Sequence, residues 1–144
     1  MGVSGEVLKL EYDIVAEDFS SAGEASSGVK KTMKTLGISP EVIRKVAIAM
    51  YEAEINAVIH ADGGKAYVTI SPEKVEVVIE DRGPGIPNID QAMQAGWSTA
   101  PENIREMGFG AGMGLPNMKR YTDEMFVEST VGVGTKVTLI VYIS

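Results

Sequence analysis

The sequence contains no cysteine among its 144 residues, so neither a disulfide bond nor a thiolate metal site can form. It also lacks a long apolar segment, because no run approaches the roughly 20 residues that a membrane-spanning helix needs. The first residues do not show the basic and then apolar pattern of a secretory signal peptide. These absences predict a cytoplasmic protein without a membrane partner.

Basic residues are scarce as well. The 13 lysines and arginines are outnumbered by 20 acidic residues, and the formal net charge is -7. Because nucleic-acid binding requires cations that neutralise many phosphates, we expect no nucleic-acid partner. ATP is not excluded, since backbone N–H groups, a helix N-terminus and a metal ion can hold its phosphates. The length and a hydrophobic content of 44% predict one soluble domain over residues 1–144.

The hydrophobic periodicity predicts the order β-α-α-β-β-loop-α-β-β. The predicted elements are a strand Leu8–Ile14, a helix from about Asp18 to Leu36, a helix from Ser39-Pro40-Glu41 to about His60, strands Ala66–Ser71 and Lys74–Asp81, a helix from about Leu115 to Glu124, and strands Phe126–Thr130 and Thr135–Ile143. This order is typical of an α+β fold, a two-layer α/β sandwich with a mostly antiparallel mixed sheet and helices on one face.

The stretch from Gly83 to Gly114 has no strong period and holds many small residues. A loop of this length in a compact domain is usually functional. It predicts a lid over a site, at about residues 88–114.

Two polar residues in the second helix, Glu52 and Asn56, are spaced i, i+4 and share one helical face. Magnesium prefers oxygen ligands and keeps several waters, so an amide oxygen together with phosphate oxygens suits it. A carboxylate one turn away can take a proton from a group that attacks a γ-phosphate. From this helix alone, a pairing of Glu52 with a lysine and a loop-capping role for Asn56 are equally good interpretations.

Asp81 follows an apolar strand and precedes Gly83 and Gly85, where a backbone can approach a ligand closely. A carboxylate there can accept a hydrogen bond from the exocyclic amine of adenine. Asp-x-Gly is also common turn chemistry after a strand. Thr135 opens the last strand, where its hydroxyl could support Asp81 or a water beside adenine, although threonine is also an ordinary strand residue.

Glycine occupies every second position from 108 to 114, directly before a predicted helix at Leu115. The exposed N–H groups of such a loop can bind phosphate oxygens, and the helix adds its positive end. A mobile hinge is the alternative interpretation of the same pattern.

Taken together, these blocks resemble the ATP-binding boxes of the gyrase/Hsp90/histidine-kinase/MutL superfamily, which implies its Bergerat ATP-binding fold. The sequences "NAVIHA" at 56–61 and "GWSTA" at 96–100 are similar to those of its small bacterial branch of anti-sigma factors and stress-switch serine kinases. The sequences "GPGIP" at 83–87 and "GLPNMKR" at 114–120 resemble the switch-kinase type most. A sensor histidine kinase fits less well, because the only histidine, His60, lies inside the helix of the site.

The resemblance implies ATP and Mg²⁺ as cofactors and a role for each matching residue. Glu52 would be the base for the acceptor serine, Asn56 the magnesium ligand and Asp81 the partner of the adenine amine. Arg105 would be a lid cation that reaches the γ-phosphate, although a salt bridge to a neighbouring glutamate explains it equally well. The other expected nucleotide-binding residues are Gly83, Gly85, Gly108, Gly110, Gly112, Gly114, Leu115 and Thr135.

The implied function is an ATP-dependent protein serine/threonine kinase that acts on a small anti-sigma-antagonist-like (STAS-type) protein. A sigma factor or another regulator is the second implied partner, and the anti-sigma type also implies a homodimer. The alternatives are a non-catalytic protein whose ATP sets its affinity for a regulator, and a plain ATPase.

Overall fold

The computed structural model describes residues 7–15, 23–60, 63–83 and 114–143. Its elements are β1 (Leu8–Ile14), α1 (Glu24–Thr35), α2 (Pro40–His60), β2 (Gly64–Ile70), β3 (Lys74–Asp81), α3 (Gly114–Arg120), β4 (Glu124–Thr130) and β5 (Gly134–Tyr142). The described strands form one sheet in the order β1-β2-β3-β5-β4, with antiparallel pairing throughout. The predicted α+β fold with a mostly antiparallel sheet is confirmed.

One face of the sheet, the core face, carries the hydrophobic core. In β3, Val75, Val77 and Ile79 are buried, and the residues between them are only partly buried. Because successive side chains of a strand point to opposite faces, this alternation separates the core face from an outer face. The core face continues on β2 and β5 through Ala66, Val68, Ile70, Val137, Leu139 and Val141.

The three described helices pack on the core face. Met33 of α1, Met50 of α2 and Met118 of α3 are fully buried in one cluster with the core-face strand residues. Complete burial of a side chain of this size contributes roughly 1.5–3 kcal/mol each. None of these helices combines the length and the apolar content needed to cross a membrane.

The start of α2 agrees with the sequence prediction. Pro40 is its first residue, and the N–H of Val42 donates a hydrogen bond to the Ser39 hydroxyl oxygen at 3.4 Å. Proline lacks an N–H and is favoured at the first helical position, while a serine acceptor satisfies one of the free donors behind it.

One predicted helix boundary is wrong, and another lies outside the described residues. The first helix was expected from about Asp18, which is outside the described ranges; the described helix α1 begins at Glu24, after Gly23 with its left-handed φ of 97°. The third helix was expected to reach Glu124, which instead begins β4. The helix ends where the Thr122 hydroxyl donates to the main-chain oxygen of Met118 at 2.8 Å. The N–H of the next residue, Asp123, then donates to the main-chain oxygen of Ile140 in the sheet.

Candidate functional site

The candidate nucleotide site lies at the end of the sheet where β3 finishes and β5 starts. Gly64 pairs with Asp81 across β2 and β3, and Glu80 pairs with Lys136 across β3 and β5. A short connection joins the end of α2 to Gly64, so the last turns of α2 lead back to this end of the sheet. The fold therefore brings the helix block and the strand block of the predicted site toward one another.

Asp81 is the last residue of β3, and its side chain is half-buried. The N–H of Thr135 donates a hydrogen bond to Oδ1 of Asp81 at 3.0 Å. Burial raises the pKa of Asp81 above its ordinary value, and the Thr135 bond opposes that rise only in part. Because a carboxylate offers two acceptor oxygens, one can hold Thr135 while the other accepts from an adenine amine.

Glycine at position 134 lets β5 approach Asp81. A Cβ built on Gly134 would overlap the main-chain oxygen of Asp81, and the φ of Gly134 is 155°. Only glycine fits this approach, which brings the N–H of the next residue onto the Asp81 carboxylate. The Thr135 hydroxyl lies 3.0 Å from the Ser129 hydroxyl. The observed support of Asp81 by Thr135 is the main-chain N–H, whereas the sequence suggested the hydroxyl, acting on Asp81 or on a water beside adenine.

Glu52 lies half-buried on α2. Burial raises the pKa of Glu52, and the nearby Asn117 side chain of α3, as a hydrogen-bond donor, lowers it by less. The ion pairs of the described residues join Lys45 and Lys65 to other acids, so a lysine pairing of Glu52 is not observed there. A half-buried carboxylate with a raised pKa is a better proton acceptor than an exposed one.

Asn56 lies one helical turn beyond Glu52 and is half-buried. The described residues hold no group of three or more histidine, cysteine or acidic side chains that could bind a metal. Magnesium keeps several waters and needs few protein oxygens, so the amide oxygen of Asn56 fits it as one ligand.

The rest of the predicted site divides into two groups. Gly83 and the start of α3 are described: the N–H of Gly83 donates to the Val133 main-chain oxygen at 3.3 Å, and the Leu115 side chain is buried in the core. Leu115 can thus offer a nucleotide its main chain rather than its side chain. The residues that lie outside the described ranges are Gly85, Arg105, Gly108, Gly110 and Gly112.

The sequence analysis assigned no role to two polar residues of this region. Glu54 is only 4% exposed, and its carboxylate accepts from the N–H groups of Gly23, Ala25 and Ser26 at 2.9, 3.2 and 3.1 Å. An acid in an apolar helix signals a buried partner, but the sequence could not name one 28 residues or more away. Asn117 shows no signal beyond its position just after the glycine-rich loop.

Comparisons with known proteins relate the chain to one family. A family model described as the histidine kinase-like ATPase domain matches residues 15–141. The chain is 29% identical over 137 residues to the serine/threonine-protein kinase RsbT of Bacillus subtilis (strain 168), covering 92% of this chain and 91% of that protein. It is 37% identical over 108 residues to an anti-sigma F factor of Thermoanaerobacter sp. (strain X514), covering 72% of each.

A solved structure shows the same fold. The RsbU and RsbW domains of a Mycobacterium tuberculosis protein superpose on this chain with a TM-score of 0.63 at 16% sequence identity. The match covers 93% of this chain and 32% of that one, so the present chain spans about a third of its length. The family match, the relatives and the fold lead to one conclusion: the chain belongs to the histidine kinase-like ATPase domain family.

Proposed function

We propose that this protein is an ATP-dependent serine/threonine protein kinase of the anti-sigma regulatory type, and that it phosphorylates a small antagonist-type (STAS-type) partner. The half-buried Glu52, with its raised pKa and its position one turn before Asn56, carries the proposal. A protein that only bound ATP would have no need of a base at that position. Relatives named as a serine/threonine-protein kinase and as anti-sigma F factors support the same function.

The described residues account for recognition of the adenine end. Asp81 accepts from the exocyclic amine of adenine, while the Thr135 N–H holds the carboxylate in place. Guanine presents an acceptor oxygen where adenine presents this donor, so the same carboxylate would repel it. The N–H of Gly83 bonds to the main-chain oxygen of Val133, and Gly83 and Gly85 would shape the adenine pocket beside Asp81.

Asn56 and the glycine-rich segment would hold the phosphate end. The amide oxygen of Asn56 would be the protein ligand of Mg²⁺, which when bound neutralises charge on the phosphates. The N–H groups around Gly108, Gly110, Gly112 and Gly114 would face phosphate oxygens. Arg105 would add a cation at the γ-phosphate.

Glu52 then serves the transfer itself. Its carboxylate takes the proton of the acceptor serine hydroxyl as that oxygen bonds to the γ-phosphorus. The bond between the γ-phosphorus and the β–γ bridging oxygen breaks, which leaves ADP and a phosphoserine. Burial supports this step, because it raises the pKa of Glu52 and so strengthens the base.

The test is phosphate transfer to a purified STAS-type partner in the presence of Mg²⁺ and labelled ATP. We expect serine phosphorylation with the native protein and a loss of at least about 100-fold with Glu52→Gln, a typical effect of removing a general base. Glu41→Gln is the matched control, because Glu41 is an exposed acid in the first turn of the same helix. Transfer that is equally fast with Glu52→Gln would refute the proposal.

A binding function is the second candidate, since several relatives are named anti-sigma F factor. In that case the nucleotide would set the affinity for a sigma factor or another regulator. Nucleotide-dependent complex formation that survives Glu52→Gln and fails with Asp81→Asn would favour this candidate over the kinase.

We also propose that two copies associate through the outer face of the sheet. Neighbouring strands place Lys65, Glu80, Lys136 and Glu128 in one row across that face. If the outer faces of two copies pack against each other about a two-fold axis that runs parallel to the strands between β3 and β5, the row of the second copy has the opposite order. Each lysine then faces a glutamate of its partner, so the row is complementary to itself.

A further inference from the structure

A row of three polar residues crosses the core face of the sheet at its nucleotide end. Ser129 pairs with Thr135 across β4 and β5, and the pairing of Glu80 with Lys136 puts Asp81 beside Thr135. Each of the three lies two positions from a residue of its own strand that belongs to the hydrophobic core or packs against it. Because alternate residues of a strand share a face, all three lie on the core face. The row joins the edge strand β4 to the carboxylate of the proposed adenine site.

The peptide unit between Gly134 and Thr135 is held at both of its polar ends. Its carbonyl oxygen accepts a hydrogen bond from the Ser129 hydroxyl at 3.3 Å, and its N–H donates to Oδ1 of Asp81 at 3.0 Å. The peptide unit is planar, so a bond that fixes the direction of the carbonyl also fixes the direction of the N–H. Ser129 and Asp81 therefore bind opposite ends of one rigid group.

This peptide unit needs such a bond because it follows a glycine. Gly134 has a φ of 155° and no Cβ, so its main chain is less restricted than that of any other residue type. A second contact, 3.0 Å between the hydroxyl oxygens of Ser129 and Thr135, ties the next side chain to β4 as well. A donor on the carbonyl also polarises the peptide and strengthens its N–H as a donor. Loss of the Ser129 hydroxyl should therefore weaken the bond to Asp81.

We propose that Ser129 is a positioning residue of the adenine site, which orients the Gly134–Thr135 peptide so that its N–H holds Asp81 toward the adenine amine. This inference rests on the nucleotide site of the proposed function. It adds a residue of β4 to a site whose expected residues lie on other elements. Ser129 then affects recognition of the base through Thr135 and Asp81, without a contact of its own to ATP.

The first test compares the binding of ATP and inosine triphosphate, whose base carries an oxygen where adenine carries the amine. In Ser129→Ala we expect the Kd for ATP to rise about threefold to tenfold, the usual effect of a lost neutral hydrogen bond. The Kd for inosine triphosphate should not rise, since that base donates nothing to Asp81 from this position. Thr130→Ala, which removes a hydroxyl from the exposed next residue of β4, is the matched control. Ser129→Thr retains the donor and should keep the native preference for ATP.

The second test asks whether Ser129 acts through Asp81. In an Asp81→Ala background, Ser129→Ala should cause no further change in the Kd for ATP, because the carboxylate that it positions is gone. A measurement without nucleotide is the pKa of Asp81, followed by carbon NMR titration. The pKa should rise further in Ser129→Ala, where the Thr135 donor is held less firmly, and should stay unchanged in Thr130→Ala.

The outcomes separate this inference from the function on which it rests. If the native protein binds ATP no better than inosine triphosphate, the proposed adenine site fails, and the role of Ser129 fails with it. If the native protein prefers ATP and Ser129→Ala matches Thr130→Ala in both Kd values and in the Asp81 pKa, the positioning role alone is overturned. An equal loss of affinity for both nucleotides with a lower melting temperature also overturns it, since the role is then structural. A loss of preference in Ser129→Thr as large as in Ser129→Ala would show that the hydroxyl is not the group responsible.

Discussion

At the scale of single residues, Asp81 shows how the site is prepared for a ligand. Its half-buried carboxylate has lost part of its hydration, and the Thr135 N–H replaces only part of what was lost. A second donor, such as the adenine amine of the proposed site, would complete the coordination of this carboxylate. Nucleotide binding of the proposed kind would therefore relieve a cost that the folded protein bears without nucleotide.

The first prediction concerns ATP affinity of Asp81→Asn. The Thr135 N–H requires an acceptor, so the asparagine carbonyl will face Thr135 and its NH₂ group will face the adenine amine. Two donors then oppose each other, and we expect the Kd for ATP to rise roughly 10- to 100-fold, as for loss of a hydrogen bond to a charged group. Calorimetric titration measures it, with the exposed Asp13→Asn as control.

The same variant should change how the free energy of unfolding depends on pH. The pKa of Asp81 is raised in the folded state, so its contribution to the free energy of unfolding is greatest at low pH and falls as pH rises through the folded pKa. Asparagine has no such fall. The stability of Asp81→Asn relative to the native protein should therefore increase in urea unfolding as the pH rises from the ordinary aspartate pKa of 3.8 through the raised pKa of folded Asp81, and level off above it. A relative decrease over that range would contradict the assigned environment.

At the scale of elements, the Glu54 side chain of α2 binds the start of α1 through hydrogen bonds. The first N–H groups of a helix have no partner within the helix. Here the residue before α1 is Gly23, which has no side chain to cap the helix, and the carboxylate of Glu54 on α2 accepts from three main-chain donors at that end. The negative charge is also favourable beside the positive end of the helix.

The second prediction is that Glu54→Gln lowers the free energy of unfolding by about 1–3 kcal/mol, the usual cost when a buried polar partner is lost. The glutamine NH₂ group would face a main-chain donor that it cannot satisfy. Amide hydrogen exchange at Ala25 and Ser26 should accelerate as the first turn of α1 frays. Glu41→Gln, at an exposed acid of α2, should stay within roughly 0.5 kcal/mol of the native protein.

These elements also show what the sequence could predict. The strands and α2 were predictable, because their buried positions recur with the period of a strand or of a helix, and the apolar residues of the sequence show the same period. The start of α1 was not, since Gly23 is made a helix boundary by Glu54, 31 residues away. Asp81 was predictable as a strand-end acid, but its main-chain support depends on the approach of β5 at Gly134. The surroundings of Glu52 depend on how α3 packs against α2, which no local pattern encodes.

At the scale of the whole molecule, the outer face of the sheet is distinctive. Tyr67, Val78, Thr138 and Phe126 form a row across four strands, beside the charged row of Lys65, Glu80, Lys136 and Glu128. Tyr67 and Phe126 are 36% and 53% exposed. The proposed two-fold axis would place Tyr67 against the second copy's Phe126, so that the apolar row is covered where the charged row pairs.

The third prediction is that the protein dimerises reversibly in the micromolar range through this face, as expected of a small interface. In the dimer, Glu80 of each copy faces Lys136 of the other copy, so Lys136→Glu would create two contacts between like charges. Each such contact costs up to about 1 kcal/mol, and we therefore expect the dimer affinity to fall roughly tenfold.

The double variant Glu80→Lys with Lys136→Glu restores opposite charges across the axis and should restore the dimer. Lys119→Glu makes the same change of net charge on α3, away from the sheet, and should leave dimerisation unaltered. Sedimentation over a range of protein concentrations measures all four proteins. A double variant that is as weak as Lys136→Glu would show that the charged rows do not meet, since only their mutual opposition makes the second substitution compensate the first.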